Sequence, residues 1–257
     1  MDVTKARREL VGQVRHAHPP PSSFDLQSYV GSPYPVLGLS APQLRGILRG
    51  FVAEHRDPAP RDLNRLAGSL WRGPTYEEKI LAILLMDRFA ARLDDASWSL
   101  LDGWVEAAIG WGLSDSLASG PIASIVYANP ARFREVLGWT RSQNMWRRRA
   151  STYALRAFVR AHELDDPFRL LARLLYDEEF WVQRAVGTWL RECWKRDPRR
   201  TRAFLLKHVR GMPPVVITVA TERAPKSFRE GLRRKRLTGD ARRSRAGPRA
   251  RSRPRRG

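Results

Sequence analysis

Cysteine is almost missing from this chain. Cys193 is the only one in 257 residues, which excludes an intrachain disulfide framework and a thiolate metal site. The five histidines (His16, His18, His55, His162 and His208) never fall at metal-ligand spacing, so no metal site is expected. No glycine-rich phosphate loop and no Ser/His/Asp elbow is present, and no cofactor is expected. The longest unbroken aliphatic run, Ile80 to Met86, is far too short to span a bilayer, and residues 1–20 hold nothing resembling a secretion signal. These absences describe a soluble protein of a reducing compartment, without a membrane partner.

Acidic residues are also scarce. Asp and Glu number 26 against 47 Lys and Arg, a formal charge of +21, and only six of the 47 are lysine. Such an excess points to a polyanion or an anionic surface. It is uneven: Thr221 to Gly257 carries 15 basic and three acidic residues, and the rest of the chain remains basic without it. An apolar content of 42% with nine tryptophans is ample for a core.

What is plentiful is helical patterning with a period. Trp146 lies 35 residues from both Trp111 and Trp181, and one step further back falls on Tyr76. Ser40 with Gln43, and Thr75 with Glu78, form capping-box patterns ahead of apolar-periodic runs. Asn129-Pro130, Asp166-Pro167 and Asp197-Pro198 each offer an Asx cap with proline in the first turn, at spacings of 37 and 31 residues.

The patterns predict an opening helix around residues 4–15, then helices at about 40–55, 61–71, 76–89, 96–109, 112–128, 130–138, 144–162, 167–176, 179–195 and 198–209. Val215 to Val219 stays unassigned. The expected fold is all-α: a HEAT-like α-solenoid of paired antiparallel helices with a disordered basic C-terminal tail. Its expected divisions are a lead-in at 1–39, the repeat domain at 40–212, and a basic, largely disordered extension at 213–257, disordered above all after Thr238.

Two repeats overlay well. Trp146, Arg149, Ala150, Leu155 and Arg156 match Trp181, Arg184, Ala185, Leu190 and Arg191 at +35. On one helical face stand Arg149, Tyr153, Arg156 and Arg160, and in the same register on the next repeat Arg184, Thr188, Arg191 and Lys195. Such rows suit a duplex, which carries a phosphate every ~1.7 Å of axis; a solvated face in an arginine-rich chain is the bland alternative. Trp146 is expected as a core anchor. Trp98, Trp104, Trp139 and Trp194 are assigned to the core or to helix packing. Arg147 and Arg148 lie off the basic face and are expected to be solvated.

Three ordered motifs then carry a family resemblance: Trp111-Gly112-Leu113-Ser114-Asp115, Asn144-Met145-Trp146-Arg147-Arg148-Arg149, and Val182-Gln183-Arg184-Ala185-Val186-Gly187 followed by Leu190-Arg191-Glu192. Over roughly residues 36–210 the chain resembles the bacterial DNA alkylation-repair proteins, the AlkD-type glycosylases. The resemblance implies a basic cleft that cradles double-stranded DNA. It also implies hydrolysis of the N-glycosidic bond of cationic N3- or N7-alkylated purines (3-methyladenine or 7-methylguanine type) without base flipping. A cytoplasmic, nucleoid-associated monomer follows from it. The motif's aromatic and carboxylate carry over to Trp111 and Asp115, and its arginine to Arg149.

An N3- or N7-alkylpurine already bears positive charge, so the departing base needs no general acid. What remains is stabilising the oxocarbenium character on deoxyribose and guiding a water, a task suited to Asp115 with the face of Trp111. Arg149 is expected to clamp a flanking phosphate. Two departures stand out. Gly112 replaces the motif's first aspartate, and Thr188 falls where the family has a second cleft aromatic; Trp189, one residue on, is turned about 100° away. The alternative function is a non-catalytic relative that binds distorted or branched DNA. A third is a protein-binding HEAT adaptor, which would show little affinity for DNA.

Overall fold

The computed structural model describes residues 1–245, with side chains described as far as Leu237, and within them the chain is all-helical with no strand. It divides into two compact units, Met1–Leu170 and Leu171 onward. The first unit opens with α1 (Val3–His16) and a short α2 (Leu26–Val30), then α3 (Ala41–Glu54), α4 (Pro60–Trp71), α5 (Tyr76–Arg88) and α6 (Asp95–Ala107). It continues through α7 (Trp111–Leu117), α8 (Ala123–Ala128), α9 (Pro130–Trp139), α10 (Met145–Tyr153) and α11 (Arg156–Arg160). Helix α12 (Asp165–Leu174) runs across the boundary, and the second unit holds α13 (Phe180–Arg196), α14 (Pro198–His208), α15 (Pro214–Ala220) and α16 (Lys226–Arg245).

Short turns join successive helices into hairpins, the HEAT-like arrangement that the period implies. Both capping boxes form as patterned: Gln43 Oε1 accepts from Ser40 N at 2.9 Å, and Glu78 Oε2 accepts from Thr75 N at 3.1 Å. Asn129 and Asp197 cap α9 and α14 through their side-chain oxygens. Trp98, Trp104, Trp139 and Trp194 are buried, as assigned; Trp71 stacks on Trp104 at 4.7 Å and Trp98 on Trp139 at 6.0 Å.

Several expectations need correction. The helix expected over 112–128 is interrupted by a π-turn at Ala118–Ile122, where Gly120 leaves helical geometry ahead of Pro121. Proline has no N–H to give and crowds the preceding turn, so the chain widens there. The helix expected over 144–162 breaks at Ala154 and Leu155 into α10 and α11. Asp166-Pro167 lies inside the first turn of α12, which starts at Asp165. Trp111, Trp146 and Trp181 are only half-buried, so the tryptophan period marks matching helices and not matching core anchors. Arg147 is not merely solvated: its guanidinium pairs with Asp102 at 2.5 Å and Glu106 at 3.3 Å and lies over the Trp139 ring. Arg148 donates to the Ser142 and Gln143 carbonyls.

The largest difference lies past residue 212. Val215 to Val219 belongs to α15, which packs along α13 with Val216, Ile217 and Ala220 buried. Gly187 allows this approach, since a Cβ there would sit 2.7 Å from Val219 Cβ. Helix α16 follows, with Phe228 and Leu232 buried and Trp194 stacked on Phe228 at 5.3 Å. The expected extension is therefore helical as far as Arg245, and the tail expected beyond Thr238 lies outside the described residues from 246 onward.

Candidate active site

The site is built where α7 meets α10 and α5 in the first unit. Gly110, just before α7, has φ +84, and a Cβ on it would meet the Gly31 carbonyl oxygen at 2.2 Å. Only glycine fits that backbone and that approach. The contact draws α2 and its C-terminal Gly31 against the start of α7. Gly112 is as constrained: a Cβ there would stand 2.6 Å from Tyr76 Oη and 2.8 Å from Val30 Cβ. The aspartate of the resembling motif is excluded here by a tyrosine and a valine already packed in its place.

Asp115 follows Trp111 by one turn and faces α10. Its Oδ1 accepts from Arg149 Nε at 2.7 Å and its Oδ2 from Arg149 Nη2 at 2.6 Å, a two-point pair in which Asp115 is 9% and Arg149 5% exposed. Arg149 Nη2 also donates to Tyr153 Oη at 3.1 Å. Burial pushes the Asp115 carboxyl above the ordinary aspartate value, while the Arg149 guanidinium and the Tyr153 and Ser114 hydroxyls pull it back. Burial likewise raises the neighbouring Tyr76 phenol, with Glu77 and Asp115 adding to the effect. The fork of Arg149, expected on a phosphate, is on Asp115.

Trp111 is held from the lead-in. Its Nε1 donates to the Tyr29 carbonyl at 2.6 Å, and the Tyr29 ring meets the indole edge-on with centroids 5.0 Å apart. Phe24 in turn lies 5.1 Å from Tyr29, and the two rings are 59% and 55% exposed. Sequence reasoning missed this aromatic wall. The signal available was two aromatics in a segment bounded by prolines and glycine, where nothing else asks for a large ring.

A groove between α3 and α5, of about 840 Å³, is lined by Arg45, Arg49, Arg56 and Arg88 with Leu48 and Asp87. It shares Arg45, Leu84 and Asp87 with a smaller hollow of about 190 Å³ that reaches Ser116, Ser119 and Arg156. Arg156 Nη1 donates to the Ser119 carbonyl at 2.8 Å. Burial raises the Asp87 carboxyl, and Arg156 and Arg45 oppose that rise. Arginines of three elements thus line one trough, which reaches Ser116 of α7, the residue after Asp115. Those of α3 and α5 were absent from the expected binding set, because neither helix shares the tryptophan-arginine motif.

The remaining expected residues are dispersed. Arg160 is exposed at the end of α11. In the second unit Arg184 is exposed and lies over the Phe180 ring at 5.8 Å, Thr188 is half-buried, and Trp189 is buried. Arg191 pairs with Glu222 at 2.5 Å and Glu192 at 3.3 Å, and Lys195 with Glu192 at 2.7 Å. Their charge is largely met within that unit. Among the described residues no group of three His, Cys, Asp or Glu is placed to hold a metal, and no helix is long and apolar enough to cross a membrane.

The helical hairpins and the arginine-lined trough define a HEAT-like repeat protein with a basic groove. The family described as DNA alkylation repair enzyme matches residues 16–224, and the chain belongs to it. A role in DNA repair comes with that membership. A predicted DNA alkylation repair enzyme from Enterococcus faecalis is similar in fold, with a TM-score of 0.68 at 18% identity over 78% of this chain and 93% of that one. AlkD2 from Streptococcus mutans matches with a TM-score of 0.56 at 18% identity, over 68% of this chain and 86% of its own. No curated protein matches the chain in sequence.

Proposed function

We propose that the protein is a DNA glycosylase acting on cationic N3- or N7-alkylated purines in duplex DNA, with Asp115 as its one reacting carboxylate. The observation that carries this reading is the buried Asp115 carboxylate, held at two points by Arg149 one turn after Trp111, on the helix whose Ser116 lines the arginine-bearing trough. In the reaction the bond from C1′ to the purine nitrogen breaks, and its electron pair neutralises the charge on the departing base. Positive charge then develops on the deoxyribose, where a fixed carboxylate stabilises it more than it stabilises the ground state. A water adds to C1′ and loses its proton toward Asp115 or solvent, leaving free base and an abasic sugar.

Arg149 acts as a positioning residue. Its guanidinium keeps the buried carboxyl ionised and fixes its plane, and Tyr153 fixes the guanidinium. Tyr29 fixes the Trp111 ring, whose face is available to the sugar cation. Within the first unit, phosphates are received by Arg45, Arg49, Arg88 and Arg156 and by the exposed Arg160; in the second unit, Arg184 is the exposed candidate. Arg191, Lys195 and Thr188 stand at the margins of this role, the first two because glutamates already meet them.

The test is release of 3-methyladenine or 7-methylguanine from alkylated duplex by the protein and by Asp115→Asn. Release by the first and not the second supports the reading; no release by either removes the enzymatic claim. One observation favours a second reading, a non-catalytic relative that binds distorted DNA: both Asp115 oxygens are engaged, and Thr188 supplies no ring. Thr188→Trp discriminates between the two. A rise in excision places the deficit at position 188, and no change in a protein already lacking excision favours the binding-only relative.

A further inference from the structure

The first unit carries a second basic surface, on the exposed face of α4 (Arg61, Arg65 and Arg72 are all exposed). Arg61, Arg65 and Arg72 fall, with Gly68, within about 60° of one another around the helix axis. The large side chains Leu63, Leu66 and Leu70, buried with Ala67, occupy the opposite arc. The three arginines line a groove of about 580 Å³ between α4, Val3 of α1 and the start of α6.

The charge of this row is unmet, unlike that of neighbouring arginines. Arg7 reaches Glu78, Arg92 pairs with Asp57, and Arg132 pairs with Asp95 and Glu135. Arg61, Arg65 and Arg72 make no ion pair among the described residues. The carboxylates at hand are committed elsewhere. Asp94, which lines the groove with these arginines, accepts from Ser97 N and Ser97 Oγ at 2.8 Å and caps α6, and Asp62 holds the N-terminal ammonium at 3.0 Å.

We propose that the outer face of α4 binds a second phosphate backbone, so that one protein holds two duplex segments, one in the trough between α3 and α5 and one against Arg61, Arg65 and Arg72. This rests on the reading of the trough as a duplex site. Arg61 to Arg72 spans about 16 Å along the helix, the axial length of about five phosphates on one strand. The planar guanidinium suits bidentate contact with phosphate. Two separated basic faces on one rigid hairpin would keep a protein attached to one segment while it samples another.

The experiment loads the full-length protein at low density on an immobilised duplex, washes it, and adds a second, labelled duplex. The protein is expected to capture the second duplex. The triple variant Arg61→Gln/Arg65→Gln/Arg72→Gln should lose capture at least ten-fold while occupying the first duplex within two-fold of the parent. The salt slope of capture should flatten by about three, one unit for each lost phosphate contact. Equal capture by the variant, or none by the parent, overturns the proposal. Capture that grows with the square of protein density also overturns it, because two copies would then be bridging. Arg45→Gln/Arg49→Gln serves as the separate check on the trough. If that variant leaves first-duplex binding unchanged, the trough reading fails while the result for α4 stands by itself.

Discussion

Arg149 and Arg184 occupy the same position in two repeats 35 residues apart, each three residues after a half-buried tryptophan, yet the molecule treats them differently. Arg149 is buried and bound at two points to Asp115, 34 residues back in sequence. The residue at the same step back from Arg184 is Ala150, so no carboxylate awaits it, and Arg184 stands exposed over Phe180. A repeat fixes where a side chain sits on its helix. What that side chain does depends on the helix before it, and only one of these two carries an acid. Along the second face Arg191 and Lys195 find glutamates of their own unit. The buried acid–arginine pair belongs to the first of the two repeats, and the second keeps a surface.

Truncating the two arginines should separate them most. Arg149→Ala leaves the Asp115 carboxylate buried without its partner, a loss of about 3–5 kcal/mol by urea unfolding. Arg184→Ala should stay within about 0.5 kcal/mol of the parent, as for other surface positions. Equal losses would break the comparison. Gly112→Asp restores the residue of the resembling motif but drives a Cβ into Tyr76 and Val30. It should cost about 1–3 kcal/mol in melting experiments and lower excision. A variant as stable as the parent would mean that the lead-in yields freely.

The pH dependence gives a gentler test of the same region. The proposed reaction requires the ionised carboxylate, and burial raises the Asp115 carboxyl above its ordinary 3.8. Excision should therefore fall, on acidification, at a higher pH than an exposed aspartate would give. An acid limb at or below the ordinary value would place the carboxylate in water.

Much of this was legible in the sequence, for identifiable reasons. Capping boxes at Ser40 and Thr75 and Asx caps at Asn129 and Asp197 are local chemistry, and they form where the pattern places them. Asp115 and Arg149 were both singled out, but as separate agents. Their pairing depends on a long-range approach of α7 and α10 that spacing along one helix does not reveal. Pro121 and the break at Ala154 bend helices that periodicity alone draws straight. Helix α15 is β-branched, with a weak helical preference of its own, and it is helical because α13 offers Gly187 as a seat. Tyr29 and Phe24 escaped notice because they act across the fold from a segment without a repeat signature, and Arg45 and Arg49 because their helix lacks the tryptophan.

The most direct measurement is single-turnover release of 7-methylguanine from alkylated duplex by the parent protein and by Asp115→Asn, with duplex affinity and melting followed in parallel. The account predicts release by the parent and a drop of about 10²–10³-fold or more in the variant, the scale of losing a fixed electrostatic stabiliser, with duplex affinity retained. Equal rates in the two proteins, or no release from a folded parent that binds the duplex, would contradict it.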